Sequence, residues 1–298
     1  MNTSMSTRAR TEISQLDLGG VRTVVDWAAA EGWNPGLHDA EAFAAADPEG
    51  FLGASVDGEP AGAVSAVRYG AGFGFIGLYI VRPEYRTMQL GVGLARHALD
   101  RLQGRTVGID GVVEHQHQYA GLGFATAWRN VRYRGVVPAR GDAETGERTR
   151  ETVIVPAASV SFDELAAYDA AHFGARRDAF LAPWISLPGH TALVSLDAPA
   201  PEGAPGITGF GVIRQCREGA KVGPLFADDA RAAAALFARL TAGGGDVILD
   251  APEANPAAVA LAGRHGMVPV FETARMYLGG DPGLPAGRIF GITSFELG

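Results

Sequence analysis

The chain has 298 residues, 47% of them hydrophobic and only 19% charged, which suits two domains of ordinary size and excludes a disordered polymer. A formal charge of −8 excludes a broad electropositive face for duplex nucleic acid, and the one cysteine, Cys216, excludes an intrachain disulfide and reads as an inert structural thiol. No apolar run reaches 18 residues and the opening stretch lacks a secretory hydrophobic segment, so a cytoplasmic protein without a membrane partner is the expectation.

Residues 1–9 are polar and expected to be mobile, and a strand is weakly indicated near 13–16. A helix follows over 19–31, with Val21, Val24, Val25 and Ala28 on one side and Gly32 as its stop. Trp33-Asn34-Pro35-Gly36 opens a turn-rich loop to a helix at 39–46, for which Asp39 can serve as cap. Strands at 51–56 and 61–67, joined at Asp57-Gly58, and a third run ending at Val81 should form an antiparallel meander.

The run from Phe75 to Val81 is stopped by Pro83, and after a short turn the apolar residues Leu90, Leu94, Ala98 and Leu102 recur at helical spacing. The first amides of such a helix lack internal acceptors and can hold phosphate. Gly91 and Gly93 would let an anion approach the backbone, and Arg86 can add a charge-assisted bond. The plainer alternative is that the glycines permit close packing and Arg86 is a surface charge.

A strand at 106–110 leads to a polar turn carrying Glu114, His115 and His117, a short helix from Tyr119, and a strand at 124–133. Either imidazole can accept a proton near neutral pH, and Glu114 is a third candidate base, so the base stays open. The three are strung too closely to make a three-ligand metal site. The tract 138–151 is charged and nearly devoid of large apolar groups, which marks a domain boundary. Beyond it come a strand at 153–155, a helix at 162–173, a break with an apolar anchor at 180–185, and strand-like runs at 192–196, 209–214 and 221–225. A helix at 230–240, a strand at 247–249, a helix at 255–264 and a final run at 268–276 repeat the order of the first half.

VRPEYRTMQLGVGL resembles the acyl-coenzyme A pyrophosphate loop of the GNAT superfamily of acetyltransferases, with Arg86 at its first position, Gly91 at its last and Gln89 where a glycine is usual. Tyr119-Ala-Gly-Leu-Gly-Phe124 resembles the downstream Tyr-x-x-x-Gly-Phe block, and residues 255–267 resemble it again with Ala262 in place of the tyrosine. GWNPGL, QYAGLGF, VGPLFAD, ARMYLGG and FGITSFELG are similar to a bacterial subfamily of two-lobed GNAT proteins.

The resemblance implies an α/β fold of tandem GNAT-like domains, each a mixed, mostly antiparallel sheet flanked by helices. Residues 10–137 would be the catalytic domain, 138–151 a linker or exposed hairpin, and 152–298 a degenerate second domain. It also implies acetyl-CoA as cosubstrate, with Leu78, Tyr79, Ile80 and Val81 receiving the pantetheine arm. Arg86, Thr87, Met88, Gln89, Leu90, Gly91, Val92 and Gly93 would cradle the pyrophosphate. Tyr119 would be the general acid for the thiolate, with Glu114 or His117 as base and Trp33 and Asn34 as acceptor contacts. After the run 221–225 no such cradle follows, and Asp228 and Asp229 would repel pyrophosphate. The expected activity is acetyl transfer to a primary amine of a small acceptor. Alternatives are a noncatalytic acyl-coenzyme A sensor and an acetyltransferase for protein lysines or N-termini, and a homo-oligomer is compatible with each.

Overall fold

The computed structural model describes residues 9–139, 152–197 and 206–298. The N-terminal tail up to residue 8 and residues 140–151 of the expected linker lie outside the described residues. The chain opens with β1 (Thr11–Gln15) and α1 (Leu18–Ala30), whose first turn is capped by the Asp17 carboxylate accepting the Gly20 N–H at 2.8 Å. Next come α2 (Asp39–Ala46), β2 (Phe51–Val56), β3 (Glu59–Tyr69) and β4 (Phe73–Val81); β2 to β4 form the antiparallel meander expected, and β1 adds to it antiparallel on β2. Asp57 and Gly58 both take positive φ, the backbone that a two-residue hairpin needs.

A 3-10 turn, Pro83–Met88, leads into α3 (Leu90–Arg101), then β5 (Thr106–Val112), α4 (Gln116–Gly121) and β6 (Ala125–Val137). The second half contains β7 (Val153–Pro156), α5 (Phe162–Phe173), α6 (Asp178–Trp184), β8 (His190–Leu196), β9 (Ile207–Gln215) and β10 (Ala220–Ala227). It ends with α7 (Ala230–Leu240), β11 (Gly245–Pro252), α8 (Pro256–Arg264), β12 (Val268–Leu278) and β13 (Ile289–Gly291). The stretch read as a break at 180–185 is largely helical: burial of Phe180, Leu181 and Trp184 outweighs the proline at 183, and the Trp184 ring stacks on Phe43 of α2.

All these strands form one sheet, in the order β1-β2-β3-β4-β5-β12-β6-β11-β10-β9-β8-β7, with β13 added on β10. The last long strand of each half sits in the other half's territory. β12 pairs with β5 and β6, and β6 pairs with β12 and β11, all antiparallel. The centre of the sheet is therefore an exchange of strands between two similar halves.

Each half also contains one parallel pair that parts. β4 and β5 are paired only at Phe73–Ile76 and Thr106–Ile109, so they separate from Gly77 and Asp110 onward. β10 and β11 are paired only at Ala220–Val222 and Val247–Leu249, and separate from Gly223 and Asp250. We call these points the first and second forks. One face of the sheet is covered by helices of both halves, with Val21, Phe43, Phe75, Phe173, Trp184 and Phe226 in a single apolar cluster. On the opposite face α3 packs over β2 to β4 and α7 over β8 to β10.

The segment after β13 runs across the shared face from one fork to the other. A Cβ at Gly223 would meet the carbonyls of Ile292 and Thr293, and one at Gly77 would run into the Glu296 main chain. Both glycines are needed because another backbone lies where a side chain would stand.

Candidate active site

At the first fork β4 carries a bulge. Gly77 faces Ser65 and Ile80 faces Ala63, so the register shifts between them, and Leu78 takes φ 45. The Gly77 N–H donates to Ser65 Oγ at 3.1 Å. Beyond the bulge, the β4 edge facing β5 has no strand partner up to Val81. Leu78 and Ile80 bury their side chains, so they present only main chain to the opening, while Tyr79 stands half-buried on the α3 side.

The chain then turns through Pro83–Met88 into α3. Gln89 has φ 58, so it adopts the left-handed backbone for which glycine is the easy choice. It is the N-cap of α3, and its side chain makes no capping bond. The first turn of α3 is thus left without a side-chain acceptor, as an anion site at a helix start requires. Thr87, Met88, Gln89 and Val92 are exposed around it, and Leu90 is buried. The space at Gly91 is taken by the Tyr79 hydroxyl, and a Cβ at Gly93 would press on Ile13 at 3.3 Å. These two glycines therefore serve side chains of the chain itself. Arg86 donates to the Val81 carbonyl at 3.0 Å and to Glu31 at 2.8 Å, which ties the loop to the end of β4 and to the end of α1.

Tyr119 lies on α4 against Gly111 of β5 and Phe124, on the same face as Tyr79. Burial pushes its phenol up to about 12, with the neighbouring Tyr79 adding to the rise. Burial likewise raises Tyr79. Glu114 and His115 are exposed on the turn leading into that helix, and His117 is exposed in its first turn.

On the opposite side of the sheet a cavity of ≈ 380 Å³ is lined by Glu31, Trp33, Asn34, Arg132, Arg134, Arg217, Glu218, Ile248, Val270 and Phe271, among others. It contains both acceptor residues expected from the sequence, and Glu31 links its wall to Arg86. The Trp33 carbonyl accepts from Arg132 at 2.8 Å. Asn34 takes φ 50, and its side chain bonds the Glu218 main chain in both directions, so it fixes the loop from within.

The strands around this cavity carry a polar layer that the sequence reading did not single out. Arg132 grips Asp250 at 2.6 and 2.7 Å, and Arg275 grips Asp110 at 2.9 and 2.7 Å. These are equivalent pairs: each aspartate is the first residue after its fork, and each arginine is its cross-strand partner on an exchanged strand. Their electrostatics differ. Burial raises Asp110 despite Arg275, whereas at Asp250 the opposing charges of Arg132, Lys221 and Arg214 outweigh burial and hold the carboxyl below its usual range. Nearby, Arg214 pairs with Asp39, and Lys221 donates to the Asn34 carbonyl at 3.0 Å. Asp39 thus has a buried partner besides its place at the start of α2. Burial raises the Cys216 thiol, in keeping with a structural role. A lysine or arginine inside an otherwise apolar strand, as at Arg132, Arg214 and Lys221, is the sequence feature that could have pointed here.

The second fork is built on the same plan and filled differently. β13 lies alongside β10 beyond the fork, and the Ile292 N–H donates to the Asp250 carbonyl at 2.9 Å. The start of α7 is capped by Asp229, which accepts from Arg231 and Ala232 N–H at 2.9 and 2.8 Å. Among the described residues no three His, Cys, Asp or Glu are grouped to hold a metal ion, and no helix is long and apolar enough to cross a membrane.

A parting parallel pair, a bulge and an uncapped helix start thus stand together at the first fork. The acetyltransferase (GNAT) family model matches residues 21–124, and an acetyltransferase (GNAT) domain model matches residues 165–291. The chain is 32% identical over 278 residues to holothin acyltransferase of Pseudoalteromonas sp. (strain SANK 73390), covering 92% of this chain and 90% of that one. A crystal structure from Pyrococcus horikoshii, described as that of a candidate acetyltransferase, superposes with a TM-score of 0.75 at 21% identity over 100% of this chain and 99% of that one. A tandem GNAT protein from the clavulanic acid biosynthesis pathway shares the fold at a TM-score of 0.57 and 14% identity, over 90% and 98% of the two chains. The chain belongs to the GNAT superfamily of acyltransferases and carries two GNAT domains in tandem.

Proposed function

We propose that this protein is an acetyl-coenzyme A dependent N-acetyltransferase for a small primary amine, with one working site per chain at the first fork. The contrast between the forks carries the reading: one has an unpaired strand edge and an uncapped helix start, the other a strand and an aspartate in those places. The catalytic domain is then 10–137, and 152–298 is a copy that supports it and no longer binds coenzyme A. The first turn of α3 and Arg86 hold the pyrophosphate, Arg86 exchanging Glu31 for phosphate. The main chain of residues 78–81 hydrogen-bonds the pantetheine arm, and the backbone at the Leu78 bulge polarises the thioester carbonyl.

Tyr119 faces the leaving sulfur. Burial holds this phenol well above an ordinary thiol, so full proton transfer in the unloaded site would be uphill. Tyr119 therefore acts first as a hydrogen-bond donor that stabilises the thiolate. The acceptor enters by the cavity at Trp33 and Phe271, whose ≈ 380 Å³ suits a small molecule better than a polypeptide segment.

Titration calorimetry with coenzyme A tests the asymmetry. One equivalent per chain is expected, and Arg86→Ala should weaken it roughly 10- to 100-fold, the worth of a charge-assisted bond. Two equivalents, or unchanged affinity in that variant, would overturn the one-site reading.

A further inference from the structure

The segment after β13 carries a carboxylate that none of these steps uses. Glu296 is 2% exposed, and neither carboxylate oxygen has a hydrogen-bond partner. A carboxylate buried that way is costly unless N–H or O–H donors reach it. Its main chain lies against Gly77, where β4 leaves β5. Its charge favours the protonated forms of Arg132, Arg214 and Lys221, which places it within electrostatic reach of all three. Those cations have other partners: Arg132 grips Asp250 and the Trp33 carbonyl, Lys221 donates to the Asn34 carbonyl, and Arg214 pairs with Asp39 while its Nη2 stays without a partner. Asp250, Asp39 and the Cys216 thiol act on the same cations, and no hydrogen bond occupies the Glu296 lone pairs. Trp33, Asn34 and Arg132 also line the cavity, and the Arg132 guanidinium lies 4.6 Å from the Phe295 ring. Glu296 thus links the fork, where the thioester would react, to the wall of the acceptor cavity.

We propose that Glu296 receives the proton of the acceptor amine, an inference that rests on the cavity being the acceptor site. The acceptor binds as an ammonium and passes one proton to the Glu296 carboxylate, which releases it to solvent in each turnover. The freed nitrogen lone pair forms the C–N bond at the thioester carbonyl carbon, and the C–S bond breaks. The second nitrogen proton balances the departing thiolate, by way of the Tyr119 hydroxyl, so no oxidant or reductant is required. The cavity also indicates the class of amine. Arg132 and Arg134 are paired with Asp250 and Asp246, and Glu31 with Arg86 until coenzyme A binds, so the rings of Trp33 and Phe271 are what the cavity offers an apolar or aromatic body.

The test uses the full chain and, as probe, the best substrate among benzylamine, phenethylamine, tyramine and hexylamine, read as coenzyme A thiol released. Glu296→Gln should keep coenzyme A affinity, with its folded state checked by melting temperature. It should weaken calorimetric binding of the probe amine to the unloaded protein about 10-fold and lower kcat/KM at neutral pH roughly 10²–10⁴-fold. Its rate should then climb with pH as free amine forms in solution. Glu296→Asp keeps the charge and moves the carboxylate, so kcat should fall about 10-fold or more with the wild-type pH profile, and it decides the matter if the glutamine variant does not fold. Full activity in the aspartate variant, or a glutamine variant whose pH profile parallels wild type, would overturn the assignment. Phe271→Ala separates the two readings. A raised KM for the amine with unaffected Glu296 variants sinks Glu296 alone, whereas an unchanged KM, or no transfer to any amine of the panel, sinks the acceptor cavity and this inference with it.

Discussion

The two forks of this protein share a backbone plan and differ in what occupies it. Each begins where a parallel pair parts, each has a glycine on one arm and a buried aspartate on the other, and each aspartate is gripped by an arginine of an exchanged strand. The first keeps its strand edge and helix start unsatisfied; at the second, β13 covers the edge and Asp229 caps the helix. The lesson is that splitting a sheet creates polar backbone groups that something must satisfy. A ligand can do so in one half while a few residues of the chain itself do so in the other.

The strongest test of the contrast is Tyr119→Phe, set against the apolar Ala262 that matches it in the second half. Single-turnover acetyl transfer should slow roughly 10²–10⁴-fold with little change in coenzyme A affinity. Because burial holds the phenol up to about 12, Tyr119 stays protonated throughout the usual assay range, so the loss should be the same at every pH between about 6 and 10. An unchanged single-turnover rate in a folded variant would remove Tyr119 from the chemistry.

The shared plan makes a second, purely structural prediction. Asp110→Ala and Asp250→Ala each strand a buried arginine and should each cost about 3–5 kcal/mol in denaturant unfolding. Asp250→Ala should cost more, because Lys221 and Arg214 also lose a counter-charge there. Equal losses, or a larger one at Asp110, would contradict the electrostatic difference between the pairs. The smallest effect is expected at Gln89, where glycine relieves the left-handed backbone: Gln89→Gly should stabilise the protein by about 0.5–1 kcal/mol or less, read as a rise in melting temperature. A fall of that size would mean that the glutamine side chain holds the loop.

What the sequence disclosed followed from local rules. The helices at α1, α3 and α7, the meander and the loop before α3 were legible because spacing, caps and glycines act within a few residues. Trp33 and Asn34 were placed correctly on a loop that the structure shows lining a cavity, although Asn34 spends its side chain on Glu218. Gly91 and Gly93 were noticed for a reason different from the one observed, since Tyr79 and Ile13 fill the space beside them. Glu296, Arg132 and Lys221 were not legible. Their proximity depends on strands and a tail brought together from residues 132, 221 and 296, and no periodic pattern encodes contacts of that range.

The exchange of β6 and β12 also bears on how the chain is made. β5 is complete at Val112, but the strand that covers its far edge does not begin until Val268. At 5–20 residues per second, the roughly 150 intervening residues take on the order of 8–30 s to emerge from a ribosome. For that time the nascent first half has an open sheet edge and an unfinished apolar floor beneath α3, where Ala274 and Met276 later sit. The half that carries the proposed chemistry is synthesised first and completed last.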